Sequence, residues 1–184
     1  MTNWKKVSEA YVYRGWRRVL KKRFRLPDGK EADFDVIGNN PFVTVAAFTQ
    51  DMDAILVRQF RPGPEIPLIS FSEGYIEAAE SPADAARREL LEETGYEAGQ
   101  ITFLKEMRSA YSTEHRICLL ATDCIKTNEQ NLDQTEFIEV LTMSLPEFRS
   151  FLQDNQRHDF TNVDCAYLAL DHLGILGKLK TNLS

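Results

Sequence analysis

The chain has 184 residues, 43% of them hydrophobic, 27% charged and 10% aromatic, and a formal net charge of −6. That fits one domain, or one domain with a small appended element. It is large enough to fold without disulfides and too rich in aromatics for disorder. No stretch approaches the roughly 18 apolar residues of a membrane span, and three cysteines with no CxxC spacing suit a reducing cytoplasm better than a secreted scaffold.

Taken in chain order, the first 60 residues read as strands. Residues 1–25 hold nine Lys/Arg against Glu9 alone, a local +8 that leaves −14 for the rest. Such an arm serves nucleic acid, the phosphates of a small ligand, or simply a solvated strand face, because Lys21, Arg23 and Arg25 alternate with Lys22, Phe24 and Leu26. The −14 remainder argues against a long nucleic-acid track, since phosphates would be repelled beyond the arm. Tyr11–Tyr13 and Val19–Leu26 read as extended, and Pro27-Asp-Gly-Lys30 is a turn into Ala32–Ile37. Phe42–Thr49 and Ala54–Phe60 flank a second hairpin turn at Gln50–Asp53, and a loop with Pro62, Pro64 and Pro67 follows.

The next element is a helix over residues 82–94, with Ser81 at its N-cap, Pro82 at the first helical position and Gly95 at the left-handed C-terminal position. Strands are expected at Ile101–Met107, Arg116–Ala121 and Glu136–Met143. A capping box, Ser144-Leu-Pro-Glu147, opens a helix to about Gln153, and a last helix runs from Cys165 to Leu173 before Gly174. Strands first and then strands interleaved with helices indicate an α/β or α+β layered domain with a small N-terminal sheet.

Helix 82–94 places Glu89, Glu92 and Glu93 at i, i+3 and i+4, so three carboxylates share one face with no Lys or Arg four residues after any of them. The spacing alone leaves two readings: an exposed acidic patch, or a site for hard divalent cations that prefer oxygen ligands. The flanks decide between them. Gly74, five residues, Glu80, seven residues, then Arg88-Glu-Leu-Leu-Glu-Glu-Thr-Gly95-Tyr96 resembles the Nudix box at every fixed position. The resemblance implies an α/β fold, a Nudix α/β/α sandwich with a mixed sheet, joined to a small N-terminal antiparallel β-sheet. It implies a dimerisation subdomain at residues 1–40 and a Nudix hydrolase domain at 41–184.

It also implies roles. Glu89, Glu92 and Glu93 would bind Mg²⁺, with Mn²⁺ as the substitute, together with the main-chain carbonyl of Glu73, which a turn at Gly74 would bring close. Glu80 and Arg88 would pair structurally. Glu93 is the most central of the carboxylates, and bound Mg²⁺ would neutralise pyrophosphate oxygens and activate water.

Arg58-Gln-Phe-Arg61-Pro-Gly is similar to the strand-end motif of the ADP-ribose and ADP-sugar pyrophosphatase branch, where Arg61, and less directly Arg58, would hold phosphate or ribose oxygens. A solvated strand end is the plainer reading of both. Glu136-Phe-Ile-Glu139 resembles the segment that supplies this branch's loop glutamate, a general base or extra metal ligand at Glu136, with Glu139 as the fallback. Glu114 in Ser112-Thr-Glu resembles a terminal-sugar contact. The only tryptophans, Trp4 and Trp16, lie in the basic arm; a strand aromatic is usually core. The arm is nonetheless similar to the N-terminal segment of dimeric ADP-sugar pyrophosphatases, in which two tryptophans from different subunits stack the base, and Lys21 would reach phosphate.

Two departures matter. The branch reads Glu-Leu-Pro-Ala-Gly before the box, whereas this chain has Ser70-Phe-Ser-Glu73-Gly74, and Arg108-Ser-Ala-Tyr111 stands where ADP-ribose-specific members carry proline. Both point to a broader nucleoside diphosphate sugar hydrolase; the arm's resemblance implies a homodimer, and the cysteines suit the cytoplasm. The rivals are a domain that senses such ligands without turnover and an enzyme acting on RNA ends.

Overall fold

The computed structural model describes residues 3–176, and the chain divides into two compact units, Met1–Pro41 with Met107–Arg116, and Phe42–Glu106 with Ile117–Ser184.

The first unit is built on a three-stranded antiparallel sheet, β1 (Lys5–Arg14), β2 (Arg18–Arg25) and β3 (Glu31–Ile37), in sequence order. Alternation along the strands sorts the side chains onto two faces. Tyr11 and Leu20 are cross-strand partners, as are Leu20 and Val36, and Phe24 meets Phe34 and Trp4 on that same apolar face at 6.0 and 6.2 Å between ring centres. The opposite face pairs Arg23 with Asp33 at 2.7 Å and Arg25 with Glu31 at 3.0 Å. Two of the arm's nine basic side chains are thus matched by acids of β3. Segment 111–113 adds to the edge of this sheet, with Ile37 bridged to Ser112 and its carbonyl accepting from the Thr113 amide.

The second unit holds an eight-stranded mixed sheet and three helices. Strands β4 (Phe42–Thr49) and β5 (Ala54–Arg61) form a hairpin that pairs only at its closed end, Ala47 with Ile55 and Phe48 with Ala54. Beyond that the two strands part, and β6 (Ile66–Ser70) lies against β5 while β7 (Ser72–Tyr75) lies against β4. The proline-rich stretch expected to be a loop therefore contains a strand. Pro67 sits opposite Phe60, at the outer end of the pairing, a position where a missing N–H is tolerated. The remaining strands are β8 (Tyr96–Glu97), β9 (Gln100–Arg108), β10 (His115–Lys126) and β11 (Ile138–Met143), with β11 on β5 and β10 between β4 and β8.

Strand alternation on β4 sets the layers. Val43, Val45 and Ala47 face helix α1 (Pro82–Thr94), which buries Ala85, Ala86 and Leu90 against them and against Ile117 and Leu119 of β10. Burying Leu90 alone contributes roughly 2 kcal/mol. Phe48 points the other way, into an aromatic cluster with Phe71 and with Phe148 of α2 (Leu145–Gln153). Helix α3 (Val163–His172) buries Cys165, Ala166, Ala169 and Leu170, and the Cys165 thiol lies 3.8 Å from the Thr44 carbonyl on that same side. The result is the expected α/β/α sandwich. None of the described helices is long and apolar enough to cross a membrane.

Candidate active site

Helix α1 forms where its ends are marked. The Ser81 hydroxyl accepts the Asp84 amide at 3.2 Å, and Gly95 closes the helix at φ 74°, its amide bonded to the Leu91 carbonyl. The helix is docked by Arg88. Its guanidinium gives two hydrogen bonds to Glu80, at 2.9 and 3.0 Å, and one to the Tyr75 carbonyl at the end of β7. The expected Glu80–Arg88 pair is present, and the Glu80 carboxyl is held below its ordinary range chiefly by that hydrogen bonding. Arg88 also bonds Glu89 at 2.7 Å and Glu92 at 3.1 Å. The carboxylate crowding is therefore relieved from the N-terminal side of the helix, by a residue one and four positions earlier.

Glu93 is the exception. It is 6% exposed, and among the described residues no Lys or Arg pairs with it. Burial raises its carboxyl to about 8, and the charges of Glu89 and Glu136 push the same way, against the hydrogen bond from the Glu73 amide. That amide donates to Glu93 Oε2 at 3.3 Å, whereas Ser72 Oγ is buried with no hydrogen-bond partner among the described residues. Glu89 is raised too, first by burial, with Arg88 opposing.

Gly74 serves a purpose other than the turn expected from the sequence. It lies within β7, opposite Val43, and a Cβ there would overlap the Glu89 carboxylate. Glycine at this point makes room for a box side chain against the sheet. The neighbouring Glu73 sends its carboxylate to the opposite side of β7, where Thr44 Oγ1 donates at 2.8 Å and Asn162 Nδ2 at 2.7 Å. Only the main chain of Glu73 is left to the carboxylate side.

Glu136 lies ahead of β11, not within it as expected. Its amide bonds the Asp133 carbonyl at 2.9 Å and its carboxylate takes the Asp133 amide at 3.1 Å, which closes a turn and delays the strand to Ile138. It is near enough to raise both Glu89 and Glu93. Glu139 is the cross-strand partner of Arg58 and ion-paired with it. An open groove of about 490 Å³ has these three residues on its wall with Phe60, Leu132 and Phe137. Arg61 ends β5 half-buried. The structure thus gathers Glu89, Glu92, Glu93 and the Glu73 main chain at the α1–β7 contact, and Arg58, Glu136 and Glu139 along the groove.

Trp4, Trp16, Lys21 and Glu114 belong to the first unit. Trp4 packs on Phe34 at 5.8 Å. Trp16 is 85% exposed in the β1–β2 turn, Lys21 is exposed on β2, and Glu114 accepts from Arg17 at 3.1 Å.

A NUDIX domain model matches residues 40–162. The chain belongs to the Nudix family. Its relatives include a methanol dehydrogenase activator of Bacillus methanolicus, 26% identical over 96% of this chain and 95% of that protein. An ADP-ribose pyrophosphatase of Bacillus subtilis (strain 168) is 29% identical over 73% and 74% of the two chains. The fold matches a crystal structure of an ADP compounds hydrolase with a TM-score of 0.82, at 24% identity, over 97% of this chain and 98% of that one.

The all-oxygen Nudix donor set fits a hard divalent cation, and so does its electrostatics: a carboxylate raised first by burial and then by two neighbouring carboxylates is what a dication would relieve. No three described His, Cys, Asp or Glu side chains converge on one point, because Arg88 draws Glu89 and Glu92 and the Glu73 amide holds Glu93. Sequence reasoning missed Thr44, Asn162 and Gln130. The Gln130 amide joins the Glu93 carbonyl, at 2.6 Å, to the Ile138 carbonyl, at 3.1 Å, and so ties the Glu136 loop to the end of α1. Asn162 did carry a signal, since an asparagine ahead of an apolar helix is a cap candidate.

Proposed function

We propose that this Nudix pyrophosphatase hydrolyses the pyrophosphate bond of nucleoside diphosphate sugars, ADP-ribose and ADP-sugars among them, to nucleoside monophosphate and sugar phosphate. The observation that carries the reading is the buried Glu93 carboxylate, raised to about 8 beside Glu89 and Glu136 in a box with every fixed residue present. A domain that only sensed its ligand would have no use for that electrostatic cost. Mg²⁺ would be held by Glu89, Glu92, Glu93 and the Glu73 carbonyl, and when bound it supplies charge neutralisation and a more acidic water. Glu136 takes the proton from the attacking water, for which it must leave the Asp133 amide. Arg58 and Arg61 hold phosphate oxygens, which requires Arg58 to exchange Glu139 for substrate.

For the N-terminal unit we propose a boundary near residue 40 and a homodimer that uses its apolar face. Trp16, exposed and unpacked, stacks the base at the partner's site, Trp4 supports it, Lys21 meets phosphate and Glu114 the terminal sugar. The ion pairs of β2 with β3 count against the RNA-end reading in so far as they occupy two of the arm's five arginines, Arg23 and Arg25. Three free, buried cysteines support a reducing, cytoplasmic setting.

The test is a screen of nucleotide sugars with Mg²⁺, with products identified by mass. Nucleoside monophosphate and sugar phosphate from several substrates are expected; no turnover of any of them, with RNA caps or dinucleotides cleaved instead, would replace the reading.

A further inference from the structure

Strand β7 is gripped from the face opposite the box. Asn162 is 1% exposed and sits at the N-cap position of α3, where an asparagine side chain ordinarily accepts a helix amide. Here it makes no cap bond. Its Oδ1 accepts the Phe71 amide at 2.8 Å and its Nδ2 donates to Glu73 Oε1 at 2.7 Å, so one side chain holds two points of the strand on either side of Ser72. Thr44 Oγ1, fully buried, gives Glu73 Oε1 its second hydrogen bond. Asn162 is itself fixed by the chain before it, since the Ile69 amide donates to the Asp159 carbonyl and the Ile69 carbonyl accepts from the Thr161 amide beside β6.

A strand of this sheet needs no carboxylate at residue 73, where the related branch reads alanine, and placing one between buried neutral donors costs desolvation. What the arrangement achieves is rotational: with the Glu73 side chain and the Phe71 amide both held, the peptides between them cannot turn. The Glu73 amide faces Glu93. We infer that Asn162, seconded by Thr44, is a positioning residue that orients the Glu73 main chain and, through its amide, the Glu93 carboxylate for the divalent cation. The inference rests on the metal-dependent reading above. Groups that orient ligands in this way typically change metal affinity or activity by about 10–100-fold when removed.

The experiment uses Mn²⁺ as the probe, titrated into the full-length protein and followed by its electron paramagnetic resonance signal, with turnover of ADP-ribose and the melting temperature measured on the same samples. Asn162→Asp keeps the Oδ1 acceptor for Phe71 but sets an acceptor against Glu73. It is expected to weaken Mn²⁺ binding by about tenfold, and Thr44→Val should shift it in the same direction by less. The double variant Asn162→Asp with Glu73→Gln restores a donor facing an acceptor with the two exchanged, and should regain most of the lost affinity. Unchanged Mn²⁺ affinity in Asn162→Asp, even with a lower melting temperature, overturns the inference, as does a double variant no tighter than the single one. If Asn162→Asp does not fold, unchanged affinity in Thr44→Val overturns it equally. Wild-type protein that neither binds Mn²⁺ nor cleaves ADP-ribose would instead bring down the functional reading on which the inference stands.

Discussion

In the N-terminal unit Arg23 meets Asp33 and Arg25 meets Glu31 across exposed strands, each charge answered by one neighbour in water. In the second unit Arg88 answers Glu80, Glu89 and Glu92 together, and Glu93 stays buried with no cation of its own. Exposed pairs of the first kind contribute little, and Arg23 and Arg25 decorate a sheet face. A carboxylate buried beside two others is held against its own electrostatics by the surrounding fold, and such groups concentrate at working sites. Uncompensated burial, more than charge density, separates the candidate site from the charged face of the N-terminal sheet.

Four substitutions sharpen the contrast. Glu136→Gln should lower kcat by roughly 10²-fold with little change in KM, as removal of a general base does; steady-state kinetics on ADP-ribose would show it, and an effect confined to KM would demote Glu136 to substrate binding. Arg88→Ala removes several charge-assisted hydrogen bonds at once and should cost about 2 kcal/mol of stability by denaturant unfolding. The Glu80 carboxyl is lowered in the folded state, so this pair's stabilisation is present above the ordinary carboxyl pKa and is lost as pH falls through the lowered one. The variant should lack that part of the acid limb.

Trp16→Ala should raise KM about tenfold for several nucleotide sugars together, the effect of losing one base-stacking partner, and change the melting temperature little because the side chain is 85% exposed within its own chain. Arg23→Ala should leave the melting temperature and turnover nearly unchanged. A large effect there would mean that the basic face has a partner.

Much of this was legible in the sequence because local chemistry wrote it. Helix α1 runs over the residues that Ser81, Pro82 and Gly95 delimit, and strand β4 has the bounds its apolar run suggests. The box residues followed from spacing on one helix. What could not be read came from contacts far apart in the chain. Strands β6 and β7 exist because β4 and β5 separate and leave edges to be paired, which the prolines at 62, 64 and 67 conceal. Gly74 looked like a turn residue because nothing local says that Glu89 needs the space. Glu136 looked like a strand residue until its turn with Asp133 was seen. The Asn162–Glu73 contact joins residues 89 positions apart, beyond the reach of any periodicity.

The central claim is that the buried box carboxylate drives hydrolysis, and Glu93→Gln tests it most directly. Gln keeps the shape and removes a charge the fold tolerates poorly, so the metal-free variant should melt no lower than the wild type. With Mg²⁺ and ADP-ribose its turnover should fall by roughly 10³-fold, the several kcal/mol that metal-assisted charge stabilisation is worth. Turnover within a few-fold of wild type at limiting Mg²⁺, in a variant that melts normally, would contradict the account.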